Sequence, residues 1–234
     1  MNRDALLERI AEVRARIAAA AARAGREPGS VAILPVTKGH PASAIRALAE
    51  AGFDRIGENR VGDAERKRAE LGDAGVAWHM VGHLQRNKAS RAVALFDVVE
   101  SVDSLRLARR LAAEVERAGR GPLPVLVQVN ASGETSKGGF EVDDVAGPVA
   151  EICALPALRV AGLMTMAPQT GDESVLRSVF RRTRACLESC RDAAPGFEGT
   201  VLSMGMSNDF ELAVEEGSTE LRLGTVLVGE RPER

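Results

Sequence analysis

Short apolar runs recur eight times along the 234-residue chain, and each is followed by a segment of helical period or by a helical turn. The runs lie near 31–37, 53–59, 76–83, 96–101, 124–130, 158–164, 200–203 and 221–223. Most are continuous rather than alternating, which is how strands buried on both faces read. Strands that alternate with helices imply a parallel sheet with right-handed crossovers. Eight such units predict a closed (β/α)8 TIM-type barrel of the α/β class. An open doubly wound sheet is the alternative, but no glycine-rich fingerprint follows the first strand. Leu6, Leu7, Ile10, Val13 and Ile17 place an extra helix ahead of the barrel, within residues 1–25, ended by Gly25. With no linker and no break in composition, residues 1–234 are expected to form a single domain. Further helices are expected over 41–51, 85–95, 141–154 and 172–193. Two more are expected to be capped by Asp103 and by Ser207–Asn208–Asp209.

The formal net charge is −2, so no nucleic-acid or anionic-membrane partner is expected. No run approaches the roughly 18 apolar residues of a membrane span. The N-terminus has acids within it and lacks the apolar core of a signal peptide, so a cytoplasmic location is expected. The solvated helix faces suit a monomer. The three cysteines, Cys153, Cys186 and Cys190, have no C-x-x-C pattern and are read as buried thiols. No His/Asp/Glu spacing suggests a metal: His79 and His83 straddle a strand end. Tyrosine is absent, which excludes any chemistry that needs a phenol as acid or base.

In such a barrel the site is built where the strands end. The residues there are Lys38, Glu58–Asn59, Gly82–His83, Ser101, Asn130, Thr165, Ser203 and Arg222–Gly224–Thr225. Lys38 falls one step past an apolar run, where its stem is in protein and its amine in a cleft. Partial burial keeps some of such an amine neutral and nucleophilic. After the seventh and eighth strands come LSMGMSND and RLGTV, where barrels of this kind commonly bind phosphate with loop amides. Gly205 and Gly224 allow close backbone approach there, and Ser203, Ser207 and Thr225 add hydroxyls. The arrangement expected is an amine on one side of the barrel mouth and a phosphate cradle on the other. That suits an imine with a phosphorylated aldehyde, of which pyridoxal 5′-phosphate is the obvious one. Taken singly, each residue also has a plainer reading. Lys38 reads as a surface lysine, Arg222 as an ion-pair partner of Glu220, and Ser207 as a helix cap. His79 reads as a satisfied barrel histidine, and Asn130 as a loop cap.

The stretches VTKGHPASAI, GENRV, WHMVGHLQRNK, QVNASGETSKGGF, GLMTM, SMGMSNDFELAVEEGST and LRLGT resemble the pyridoxal phosphate homeostasis protein family over nearly the whole chain. That family looks like the barrel half of fold-type III enzymes such as alanine racemase, without their second β domain. The resemblance implies that Lys38 carries the cofactor as an internal aldimine and that Arg222 faces its pyridine nitrogen. It implies that Ser203, Gly224 and Thr225 hold the phosphate, with Ser207 assisting, and that Asn59 lies beside the cofactor. His83 and Lys137 match family positions without an assigned contact. Arg60 and Gly62 depart from the family pattern, which has an aromatic residue and a glutamine there.

An arginine at the ring nitrogen stays charged and disfavours ring protonation, which weakens the ring as an electron sink. Racemases of this type oppose their lysine with a tyrosine. Here there is none, and with the sequence ending at Arg234 no second domain is expected to supply one. The expected function is to hold and deliver the cofactor in pyridoxal phosphate homeostasis, with apo pyridoxal-dependent enzymes as recipients and no catalytic residue. The alternatives are a weak pyridoxal-dependent amino-acid racemase and a Schiff-base aldolase acting on a phosphorylated substrate.

Overall fold

The computed structural model describes residues 3–134 and 138–230; Lys137 lies outside the described residues. Helix α1 (Arg3–Arg23) leads into β1 (Ala32–Pro35), α2 (Ala42–Glu50), β2 (Arg55–Glu58), α3 (Val61–Leu71) and β3 (Ala77–Met80). Then come α4 (Ala89–Leu95), β4 (Val98–Val102), α5 (Leu105–Arg117), β5 (Leu123–Asn130), β6 (Phe140–Glu141) and α6 (Ala146–Cys153). The chain continues through β7 (Leu158–Met164), α7 (Glu173–Ala193), β8 (Val201–Ser203), α8 (Phe210–Glu215), β9 (Glu220–Leu223) and α9 (Thr225–Val228).

The sheet runs in the order β1, β9, β8, β7, β5, β4, β3, β2, and its pairings are parallel. One bridge, Val36 with Gly57, joins β1 to β2 and closes the circle, and the Thr37 amide donates to the Gly57 carbonyl at 3.0 Å. The chain therefore forms the expected barrel of eight parallel strands. Apolar stripes on the helices cover it: α5 buries Leu107, Leu111 and Val115, and α7 buries Leu176, Val179, Phe180 and Leu187. The first helix turns Leu6, Ile10, Val13 and Ile17 inward. It lies along α8 and α9, where Arg16 pairs with Glu211 at 3.0 Å and Arg9 donates to the Leu227 carbonyl at 3.0 Å. Glycine is required where strands and loops touch. A Cβ on Gly162 would stand 1.9 Å from the Val201 carbonyl oxygen, and one on Gly82 would stand 2.3 Å from that of Asn59.

Several local expectations change. The polar loop after β5 contains β6, which pairs with β5 through Val129 and Phe140. The helix expected from 141 begins at Ala146, after a 3-10 turn over Val142–Asp144. Pro148 explains the shift: it has no N–H to give, so it is tolerated in the first turn and not further in. The α5 cap is Ser104, whose Oγ accepts from the Leu107 amide at 3.3 Å, and not Asp103, which faces His83. The α8 cap position is Asp209, the last of the three residues expected there.

Candidate functional site

Lys38 is half-buried in the turn after β1. The next residue, Gly39, has a φ of 80°, and the His40 amide closes the turn on the Thr37 carbonyl at 3.0 Å. That carbonyl also accepts from Lys67 Nζ at 2.7 Å. Lys67 reaches in from α3 and pairs with Glu58 Oε1 at 2.5 Å, which takes a 2.6 Å hydrogen bond from the Thr37 hydroxyl as well. Lys67 is 2 % exposed, and Glu58 and Thr37 are 0 % exposed. A second lysine, fully paired, thus fixes the backbone from which Lys38 projects. Asn59 is half-buried just beyond Glu58, and its backbone is packed against Gly82.

Arg222 lies on β9, opposite Leu34 of β1, and Gly224 follows the residue opposite Pro35. The first and last strands of a closed barrel are neighbours. Lys38 and the loops after β8 and β9 therefore share one side of the mouth, and the expected placement on opposite sides is corrected. Arg222 is 5 % exposed. Its NH1 donates to the Ser203 carbonyl at 2.7 Å and to Ser203 Oγ at 2.8 Å, and its NH2 donates to the Thr165 carbonyl at 2.6 Å. A guanidinium has five N–H donors, and these bonds to described residues use three of them. The Ser203 hydroxyl, which is 0 % exposed, donates to Glu100 Oε2 at 2.8 Å. It is committed inside the protein. Half-buried Ser207 accepts from the Val226 amide at 3.4 Å and so ties the β8 loop to the start of α9, beside half-buried Gly224 and exposed Thr225. Gly205 is required by the fold itself: its φ is 96°, and a Cβ there would meet Ala213 at 2.6 Å.

His83 is set apart. Its side chain is 70 % exposed, its Nδ1 lies 3.0 Å from Asp103 Oδ2, and it lines a surface hollow with Gln85, Arg86, Asn87 and Arg106. Asn130 caps its loop, donating to the Glu134 carbonyl at 3.1 Å.

Beneath Arg222 the barrel interior holds charges that the sequence did not announce. His79 Nδ1 lies 2.7 Å from Glu100 Oε1, and Arg55 NH1 lies 3.8 Å from Glu220 Oε2. One ligand-capable atom each from His79, Glu100 and Glu220 falls within 4.8 Å of the others. Burial works against a charge on Glu100, but His79, Arg222 and Ser203 hold its carboxyl below the usual carboxylate range. Burial and the Glu100 charge push the Glu220 carboxyl up to about 7. Burial alone would lower the His79 pKa; Glu100 and Glu220 raise it instead. Burial lowers that of Arg222 against the pull of Glu100, Glu220 and Asp209, yet an arginine remains charged. These residues come from four strands, so no local spacing marks them. The one available signal was a charge inside each apolar run: His79 in VAWHMVGH, Glu100 in FDVVES and Glu220 before LRL.

The model of the alanine racemase N-terminal domain matches residues 9–232. The pyridoxal phosphate homeostasis protein of Pseudomonas aeruginosa is 42% identical over 226 residues, covering 97% of this chain and 96% of the relative. That of Escherichia coli K12 is 40% identical, with 95% of each chain covered. Among solved structures, PipY of Synechococcus elongatus with PLP bound is 37% identical, with a TM-score of 0.83 over 96% of this chain and 100% of that one. Alanine racemase of Clostridium difficile, at 16% identity and a TM-score of 0.72, covers 87% of this chain with 53% of its own and shares the fold. By sequence and by fold, the chain belongs to the pyridoxal phosphate homeostasis protein family.

Proposed function

We propose that this protein binds pyridoxal 5′-phosphate reversibly at the upper mouth of the barrel, and that holding and releasing it for intracellular homeostasis is its function. The observation that carries this reading is Arg222: a buried guanidinium fixed by Ser203 and Thr165, with two N–H donors left among the described residues, on the strand beside the one that presents Lys38. The donor set suits the cofactor. An amine meets an aldehyde, a guanidinium meets a basic ring nitrogen, and hydroxyls with loop amides meet a phosphate.

When bound, the cofactor supplies an aldehyde that condenses reversibly with an amine. The chain's own residues do the rest. Lys67 and Glu58 fix the Thr37 carbonyl and so aim Lys38. Arg222 donates without giving up a proton and stays cationic. Ser207, Gly224 and Thr225 are assigned to the phosphate. Ser203 is assigned to Arg222, since its hydroxyl is already shared between Glu100 and the guanidinium. Asn59 flanks Lys38. No tyrosine exists to act as a second base, so we assign no turnover to the site. In the same reading the protein is a cytoplasmic monomer that passes the cofactor to apo pyridoxal-dependent enzymes.

An absorbance spectrum tests this. Purified protein given pyridoxal phosphate is expected to gain a visible band that borohydride removes and that Lys38→Ala lacks. No band in the parent protein, or an undiminished band in Lys38→Ala, overturns the assignment. Turnover of alanine or serine enantiomers well above free cofactor would replace holding with catalysis.

A further inference from the structure

Polar side chains are costly inside a barrel, yet this one carries two linked sets of them between its lower end and Arg222, which approach each other where Glu220 comes within 4.8 Å of His79 and Glu100. Arg55 and Glu220 open their strands, His79 and Glu100 sit mid-strand, and Ser203 closes β8. The links are Arg55 to Glu220, His79 to Glu100, Ser203 to Glu100 and Arg222 to Ser203. One atom breaks the pattern. Among the described residues Glu220 Oε1 has no hydrogen-bond partner, and the residue is 5 % exposed and stands among His79 and Glu100. An ionised oxygen left so is costly, whereas a carboxylic acid there is neutral and gains a donor of its own.

A water, a metal ion or a proton could satisfy that oxygen; a water alone would leave the Glu220 charge facing that of Glu100. Both oxygens of Glu100 are already engaged, and guanidinium groups stand at the two ends of the group. A divalent cation would bring two positive charges beside Arg55 and Arg222 in a buried place; a proton brings one and neutralises the carboxylate.

We propose that Glu220, His79 and Glu100 share a proton beneath Arg222, and that through Ser203 this proton sets how strongly the mouth holds an anionic ligand. The charged groups facing the set are Arg55 on β2, Asp54 just before it, Arg222 on β9 and Asp209 at the start of α8. With the proton in place the interior is more positive and favours a phosphorylated ligand. When the proton leaves, the new negative charge opposes it. The shared proton stands on its own; its effect on the ligand rests on the function proposed above.

The first experiment uses the protein without cofactor. The folded Glu220 carboxyl, at about 7, binds a proton that an unfolded glutamate loses near pH 4.3. Stability therefore falls as pH rises between those values, and His79, raised in the fold, adds a fall of the same sign as pH passes its folded pKa. Urea unfolding at pH 5.5 and pH 8 is expected to show a larger difference for the parent than for Glu220→Gln, which cannot lose that proton. An equal difference overturns the shared proton. The protein has three histidines, so the His79 ring is assigned in NMR spectra by His79→Gln, and its titration is expected to move in Glu220→Gln. An unmoved titration, or a zinc-induced shift of that ring, also overturns it.

The second experiment measures pyridoxal phosphate dissociation at both pH values. The parent is expected to bind about tenfold more tightly at pH 5.5 than at pH 8 relative to Glu220→Gln, for one charge on the order of 10 Å away at an effective dielectric near 20. Equal pH dependence in the two proteins overturns the coupling and leaves the proton. No binding at either pH overturns the coupling together with the proposed function.

Discussion

Replacing Lys67 by methionine keeps most of the side chain's volume and removes its charge. The ammonium is 2 % exposed and has two partners, Glu58 Oε1 at 2.5 Å and the Thr37 carbonyl at 2.7 Å. After the change the Glu58 carboxylate stays buried, and among the described residues the Thr37 hydroxyl alone donates to it, since its Oε2 has no partner there. Breaking a buried pair from one side costs about 3–5 kcal/mol. At roughly 2–4 °C per kcal/mol for a chain of this size, the melting temperature should fall by about 6–20 °C. The assay is thermal unfolding followed by circular dichroism, with urea titrations to confirm the free energy. The double change Lys67→Met with Glu58→Gln removes the stranded charge and keeps an acceptor for Thr37, so it should recover more than half of the loss. A Lys67→Met protein that melts within about 2 °C of the parent would refute the reasoning. A double variant no more stable than the single one would show that lost packing, and not the unpaired carboxylate, was the cause. In variants that stay folded, pyridoxal phosphate affinity should fall as well, because the Thr37 carbonyl next to Lys38 loses its anchor.

Other outcomes follow from the same geometry. Burial pushes the Cys186 and Cys190 thiols up to about 11 and about 12, so both should resist thiol-disulfide reagents at pH 8 in the folded protein and react fully in denaturant. Gly82→Ala would drive a methyl into the Asn59 carbonyl oxygen at 2.3 Å, and should destabilise the protein by about 1–3 kcal/mol while weakening cofactor binding. Gly162→Ala, with a 1.9 Å clash against the Val201 carbonyl oxygen, should fail to give folded protein, as judged by gel filtration and circular dichroism. Arg222→Met leaves Glu100 with one cation fewer and should abolish the visible band; an unchanged band would remove the guanidinium from the site.

The barrel was legible because it is a local pattern repeated: each apolar run and each helical period can be read within about ten residues. Lys38 and Arg222 were legible for the same reason, as charges placed at the ends of such runs. What escaped reading was whatever depends on residues from different units. Lys67 sits on a charged helix, and only the neighbouring strand ends show why its one lysine turns inward. His79, Glu100 and Glu220 meet across the barrel from separate strands. The neighbourhood of Lys38 and the β9 loop follows from closure, which makes the first strand adjacent to the last. The α5 cap lies one residue beyond the expected Asp103 because Asp103 and Ser104 are equally good cap residues, and the contact of Asp103 with His83 decides between them.

The meeting of β1 and β2 bears on motion. One bridge joins these strands, and Lys67 crosses the same line, holding a carbonyl on the β1 side and a carboxylate on the β2 side. A side chain here acts as a suture where the backbone ladder is short. Such a seam is the place for the barrel to breathe, and Lys38 stands at its upper end. Opening it would loosen the floor under the amine without unfolding the other strands, and amide exchange at Val36 and Thr37 would report that motion directly.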